Sequence, residues 1–137
     1  MFLVRNIIKT SIAVINQLTS RYNVNLGLAA HEKDAVVLDD GKVEVTMMLG
    51  GEANVQIPKN VSEVWRLEDK GARRMIYVRN MPPYAPMRTR LFNATREFFQ
   101  WKLDMNTWDG ETPVDGTLEY YLNKWVENKG RKLELPQ

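Results

Sequence analysis

The stretch "AVVLDDGKVEVTMML", residues 35–49, constrains the fold more than any other part of the chain. Two short apolar runs meet around Asp40-Gly41. Asp-Gly favours a type I′ turn, whose twist matches that of an antiparallel hairpin. After the turn, Val43, Val45, Met47 and Leu49 alternate with Glu44, Thr46 and Met48. A period of two predicts a strand with one buried face and one wet face.

A second hairpin is predicted in "VSEVWRLEDKGARRMIYVRN", residues 61–80, with its turn at Lys70-Gly71. Trp65 and Leu67 alternate with Arg66 and Glu68, and Ile76 and Val78 with Tyr77 and Arg79. Between the hairpins, "ANVQIP" reads as a short strand with Val55 and Ile57 inward, closed by Pro58.

Helical spacing appears elsewhere. Over residues 2–21, Val4, Ile8, Ile12, Ile15, Leu18 and Tyr22 recur at intervals of three and four, with Arg5, Lys9, Asn16 and Thr19 off the stripe. Met87, Leu91, Ala94, Phe98, Trp101 and Met105 predict a second helix over 87–104. Leu118, Tyr121, Leu122 and Trp125 predict a third over 117–129, stopped by Gly130. The tail "RKLELPQ", residues 131–137, alternates like a strand and reads as an arm able to add to another sheet edge. The expected fold class is α+β. It comprises an N-terminal helix, an antiparallel four-stranded sheet from two hairpins and a short strand, and two C-terminal helices packed on one face. The 137 residues suit one domain, 1–137.

The formal net charge of +2 hides a segregation. Residues 1–69 carry 7 basic and 9 acidic side chains, residues 70–102 carry 8 and 1, and residues 103–137 carry 4 and 7. The arginines of the middle segment, 73–102, suit bidentate contact with carboxylate or phosphate. Arg73, Arg74, Arg79, Arg88 and Arg90, beside Tyr77 and Tyr84, are the candidate interaction residues. Trp108, in the loop after the predicted second helix, joins them as a candidate interface anchor. Pro82, Pro83 and Pro86 mark the same region as a connector.

Several chemistries are excluded or unsupported. With no cysteine, the chain has no disulfide, thiolate nucleophile or cysteine-held metal. With one histidine, His31, it lacks a two-histidine metal site. No G-x-S-x-G, G-x-x-x-x-G-K or G-x-G-x-x-G spacing occurs. The loop "DMNTWDGETPVD" misses the calcium pattern, because Trp108 stands where an oxygen ligand belongs and Gly110 comes one residue late. No cofactor or metal is expected, and no run approaches the 18 apolar residues of a spanning helix.

These features point to a non-enzymatic assembly subunit, in a homo- or hetero-oligomer with other protein subunits. It would make charge-complementary contacts, as in a virion or phage head–tail component, and would be cytoplasmic or in the virion. The alternative is a nucleic-acid-binding domain using the arginine segment. A third reading uses the basic, acid-free helix over 2–21 on a membrane surface or for organelle targeting.

Overall fold

The structure is a computed structural model that describes residues 2–49, 53–71, 73–101, 109 and 118–137. Its elements run α1 (Phe2–Tyr22), β1 (Val36–Val37), β2 (Val43–Glu44), α2 (Ala53–Asn60), β3 (Arg66–Asp69), β4 (Arg74–Tyr77), β5 (Phe92–Asn93), β6 (Phe98–Trp101), α3 (Leu118–Glu127) and β7 (Leu133–Glu134). The fold is α+β, with helices and antiparallel hairpins as expected. The contacts divide the chain into two compact units. One is Met1–Val61 with Pro82–Ala85, and the other is Ser62–Met81 with Pro86–Gln137.

In the first unit, β1 and β2 form the hairpin expected around Asp40-Gly41, with Val36 opposite Glu44 and Val37 opposite Val43. Gly41 turns the chain at φ 79, a left-handed conformation glycine adopts without a Cβ clash. Lys42 N donates to Asp40 Oδ1 at 3.1 Å and tightens the turn. The expected closed inner face is not formed. Val45, Met47 and Leu49 are only half-buried, and Val43 is exposed. The segment read as strand "ANVQIP" is the start of α2 instead. Its buried residues are Ala53, Ile57 and Pro58, and the first two are four apart, one helical turn. Val55, expected inward, is exposed.

The proline segment lends itself to the first unit. Val45 N donates to Pro83 O at 2.9 Å, and Ala85 N donates to Val45 O at 3.2 Å, so Tyr84 bridges Val45 in parallel fashion. The connector thus serves as an added strand beside the hairpin.

Among the described residues, the second unit holds nearly all the buried apolar side chains. β3, β4 and β6 form an antiparallel sheet in that order, with Leu67, Ile76 and Phe99 side by side in register. Ile76, Val78, Leu91, Phe92, Phe99, Tyr121 and Leu135 form the core, with Trp65, Trp101 and Leu133 packed against it. The Phe92 ring meets those of Phe99 at 5.3 Å and Tyr121 at 5.1 Å.

The helix expected over 87–104 is not present in its described part, residues 87–101. Residues 92–93 and 98–101 are strands. The 4-3-4 spacing there coincides with a run rich in aromatic residues, which favour strands, and β4 offers a free edge for it. Phe99, not Phe98, fills the core. The tail read as a free arm is held: β7 pairs in parallel with β5, and Leu135 is buried.

Candidate functional site

The basic segment is spread along the β3–β4–β6 sheet rather than gathered. Arg73 and Arg74 sit where the β3–β4 turn closes, and Arg74 pairs with Asp69 at 3.7 Å. Arg79 lies beyond the other end of β4, and five residues of extended chain separate it from Arg74 by about 16 Å. At that far end Val78 N donates to Glu97 O at 2.8 Å, and Arg79 Nη1 donates to Ala94 O at 3.3 Å. The nearby Arg96 guanidinium donates to Pro136 O. Arg88 bridges Val64 through paired backbone bonds of 2.9 and 3.0 Å, which leads the chain toward β3 at this same end.

Arg73, Arg79, Arg88 and Arg90 are exposed. Their guanidinium groups have the geometry to meet carboxylates or phosphates, but the register distributes them over two ends of the sheet. Tyr84 is half-buried and belongs to the first unit. Trp108 lies outside the described residues, as does the loop compared with calcium sites except for Asp109. Among the described residues no three metal-ligating side chains cluster.

The wet face of the sheet carries a cluster that the alternation did not reveal. Arg66, Tyr77 and Phe98 are cross-strand neighbours. Tyr77 was expected outward, yet it is only 4% exposed. The Arg66 guanidinium stacks over its ring at 5.1 Å, and Phe98 packs at 5.3 Å. Tyr77 Oη donates to Glu68 Oε2 at 2.6 Å, while Arg66 and Lys70 stand at 3.5 and 3.3 Å from the same oxygen. That phenol bond, aided by the two cations, holds the Glu68 carboxyl below the usual range. The same bond and burial push the Tyr77 phenol up. Both shifts favour the pair as found, a charged acceptor and a neutral donor.

Glu63 is the other residue that sequence reasoning passed over. Its Oε1 accepts from Arg90 N at 2.6 Å and Leu91 N at 2.9 Å. Its Oε2 accepts from Trp65 Nε1 at 2.8 Å and Thr89 Oγ1 at 2.5 Å. Thr89 Oγ1 in turn accepts from Leu91 N and Phe92 N, both at 3.1 Å. Successive backbone N–H groups here form a concave anion seat, and the chain fills it with its own carboxylate. A threonine two and three residues before those N–H groups was the available sequence signal.

The remaining surface feature is apolar. In the first unit Val36, Val37, Leu38, Val43 and Met48 around the hairpin are exposed, as are Ile7, Val14, Ile15, Leu18 and Tyr22 of α1. Val36 and Val37 are successive strand residues and therefore point to opposite faces. Both faces of the hairpin are thus apolar and open. Comparison with family models, curated proteins and solved structures finds no match.

Proposed function

We propose that this chain is a non-enzymatic assembly subunit whose N-terminal unit is completed by neighbouring protein subunits, identical or different. The observation that carries this is the β1–β2 hairpin, flanked past β2 by the single Val45–Tyr84 bridge, with Val36 and Val37 exposed on opposite faces, the latter at 69%. A two-stranded hairpin without a covered face is marginal in water. Covering the exposed parts of Val36, Val37, Leu38 and Val43 contributes about 1 kcal/mol each, from ~25 cal/mol per Å² of apolar area. That sum falls short of the cost of association alone. Further contact area must contribute, and charge-complementary contacts, the exposed arginines of one subunit against acidic side chains of another, would add to it. Among the described residues no strand pairs with the outer edge of β1, where a neighbour's strand could add. A small virion or head–tail component is one setting for such a subunit.

Sedimentation velocity under native conditions, with nucleic acid read from absorbance, tests the proposal. The expected result is a protein-only species heavier than one chain, or a monomer that shifts on adding its partner, with Val37→Glu lowering the mass. A dilute monomer that nothing shifts would count against it. The competing reading, phosphate contact by Arg73, Arg88 and Arg90, is favoured by their exposure. It requires a steep fall of nucleic-acid affinity with salt.

A further inference from the structure

α1 has two sides with different neighbours. Lys9, Ile12, Ala13 and Asn16 line a cavity of about 310 Å³ together with Gln56, Ile57 and Asn60 of α2. That side of the helix is therefore shared with α2. Ile7, Val14, Ile15, Leu18 and Tyr22 are exposed. At 100° per residue they fall within a stripe about 100° wide, turned away from the α2 side. The stripe runs about 22 Å, from fifteen residues at 1.5 Å each.

Three observations bear on what covers this stripe. The first is charge. The chain carries Arg5, Lys9 and Arg21 and no acidic residue before Glu32. A second copy of α1 would bring only like charge to the contact. The second is the seam itself. A coiled-coil partner would follow positions 4, 7, 11, 14, 18 and 21, and two of these are Ser11 and Arg21. The third is the end of the helix. Tyr22 is exposed, with the Arg21 guanidinium 5.8 Å from its ring, and Val24, Leu26 and Leu28 continue the exposed apolar surface. An amphipathic ring beside a cation suits the boundary between hydrocarbon and headgroups. No described helix is long and apolar enough to cross a membrane.

We infer that α1 lies in the surface of an anionic lipid bilayer, its Ile7–Val14–Leu18–Tyr22 stripe in the acyl boundary and Arg21, which borders that stripe, at the headgroups. An apolar stripe on a helix of single-sign positive charge is the arrangement of an interfacial helix. The inference does not rest on the assembly reading, because mass in solution and lipid binding are separate measurements.

The test is flotation of the full chain with phosphatidylcholine vesicles, with and without phosphatidylserine. Binding is expected to the anionic vesicles, to weaken with added salt, and to fall about fivefold for Arg21→Gln, which removes one charge. Val14→Glu and Leu18→Glu should reduce it by more than about tenfold, while Val37→Glu on the hairpin leaves it unchanged. Circular dichroism checks that each variant is folded. A second readout avoids the folding question. Because the chain lacks cysteine, a Leu18→Cys variant takes a polarity-sensitive dye at one site, and its emission should shift to the blue on anionic vesicles. No flotation of folded chain, or equal flotation with neutral and anionic vesicles, overturns the inference. So does an oligomer that Leu18→Glu dissociates while the parent protein ignores vesicles, which would assign the stripe to a second copy.

Discussion

Replacing Glu63 by alanine removes one acceptor group and strands four donors at once: the N–H groups of Arg90 and Leu91, the Trp65 indole and the Thr89 hydroxyl. A hydrogen bond to a charged group contributes about 1.5–3 kcal/mol, and a neutral one about 1. The four share one carboxylate, and the site is only half-buried, so water recovers part of the loss. The expected destabilisation is about 3 kcal/mol. For a domain of the size of the C-terminal unit, each kcal/mol lowers Tm by roughly 4–8 °C. Calorimetry or urea unfolding followed by Trp65 fluorescence should therefore show a loss of at least ~12 °C. Glu63→Gln keeps one acceptor oxygen and turns an amide NH2 toward the other donors, so it should fall between the parent and alanine. Thr89→Val removes one donor and a two-bond acceptor. In combination with Glu63→Ala it should cost less than the sum by about 1 kcal/mol, because the two share bonds. A loss below about 0.5 kcal/mol for Glu63→Ala, or full additivity with Thr89→Val, would refute the view that this carboxylate organises the turn into β5.

Glu68 has its pKa lowered and Tyr77 its pKa raised by their shared bond. The Glu68 contribution is present above the carboxylate's unfolded value and is lost as pH falls through its lower folded value. The Tyr77 contribution is present below the phenol's unfolded value and is lost as pH rises through its higher folded value. Tyr77→Phe should lower stability at neutral pH by about 1–2 kcal/mol and flatten both flanks of the stability–pH curve; unchanged flanks would refute the pairing. Gly130 has φ 72, a left-handed conformation that strains any residue with a Cβ, although a Cβ there would make only ordinary contact with the Trp125 ring. Gly130→Ala should therefore cost about 1 kcal/mol or more by thermal melt, and an unchanged melt would mean that the C-terminal cap of α3 relaxes freely. Arg73→Glu with Arg90→Glu should leave Tm within a few degrees, since changes at exposed side chains usually stay within about 0.5 kcal/mol. A large drop would assign those arginines to the fold rather than to a partner.

How much the sequence revealed depended on whether a period could be read in only one way. The Asp40-Gly41 and Lys70-Gly71 hairpins were legible because a turn signal and an alternating run agree. The first helix and Leu118–Glu127 were legible because their stripes are long or capped. Residues 87–101 were not. Met87, Leu91, Ala94 and Phe98 fit a helix, but Phe99 and Trp101 belong opposite Ile76 and Arg74 of β4, and long-range pairing overrode local spacing. Val55 and Ile57 suggested a strand, whereas Ala53 and Ile57 face inward together in α2. For the tail, the alternation correctly indicated a strand but not its partner, β5 of the same chain. Among the candidate site residues, sequence placed the arginines on one segment, while the sheet register sends Arg73 and Arg74 to one end and Arg79 and Arg88 to the other. Glu63 carried no period at all, because its role depends on donors 26–28 residues away.

A sequence pattern shows which side of an element is apolar, and only packing shows what covers it. In the C-terminal unit the answer is internal: Ile76, Phe92, Phe99 and Tyr121 cover one another. In the N-terminal unit the stripe of α1 and both faces of the β1–β2 hairpin are just as apolar and stay exposed. Charge then separates the two surfaces. The α1 stripe lies on an acid-free basic helix, whereas the hairpin is bordered by Asp39, Asp40 and Glu44. Among the described residues only Asp40 of these is paired with a cation of the hairpin, Lys42, so the border keeps a net negative charge. An anionic surface attracts the first and repels the second. If both surfaces met the same anionic partner, the acidic border would have to be desolvated against like charge, at a cost the apolar contacts of a two-stranded hairpin do not offset. The simplest arrangement gives them different partners, lipid for the helix and protein for the hairpin. Leu18→Glu and Val37→Glu should then separate vesicle binding from assembly, each abolishing one and sparing the other.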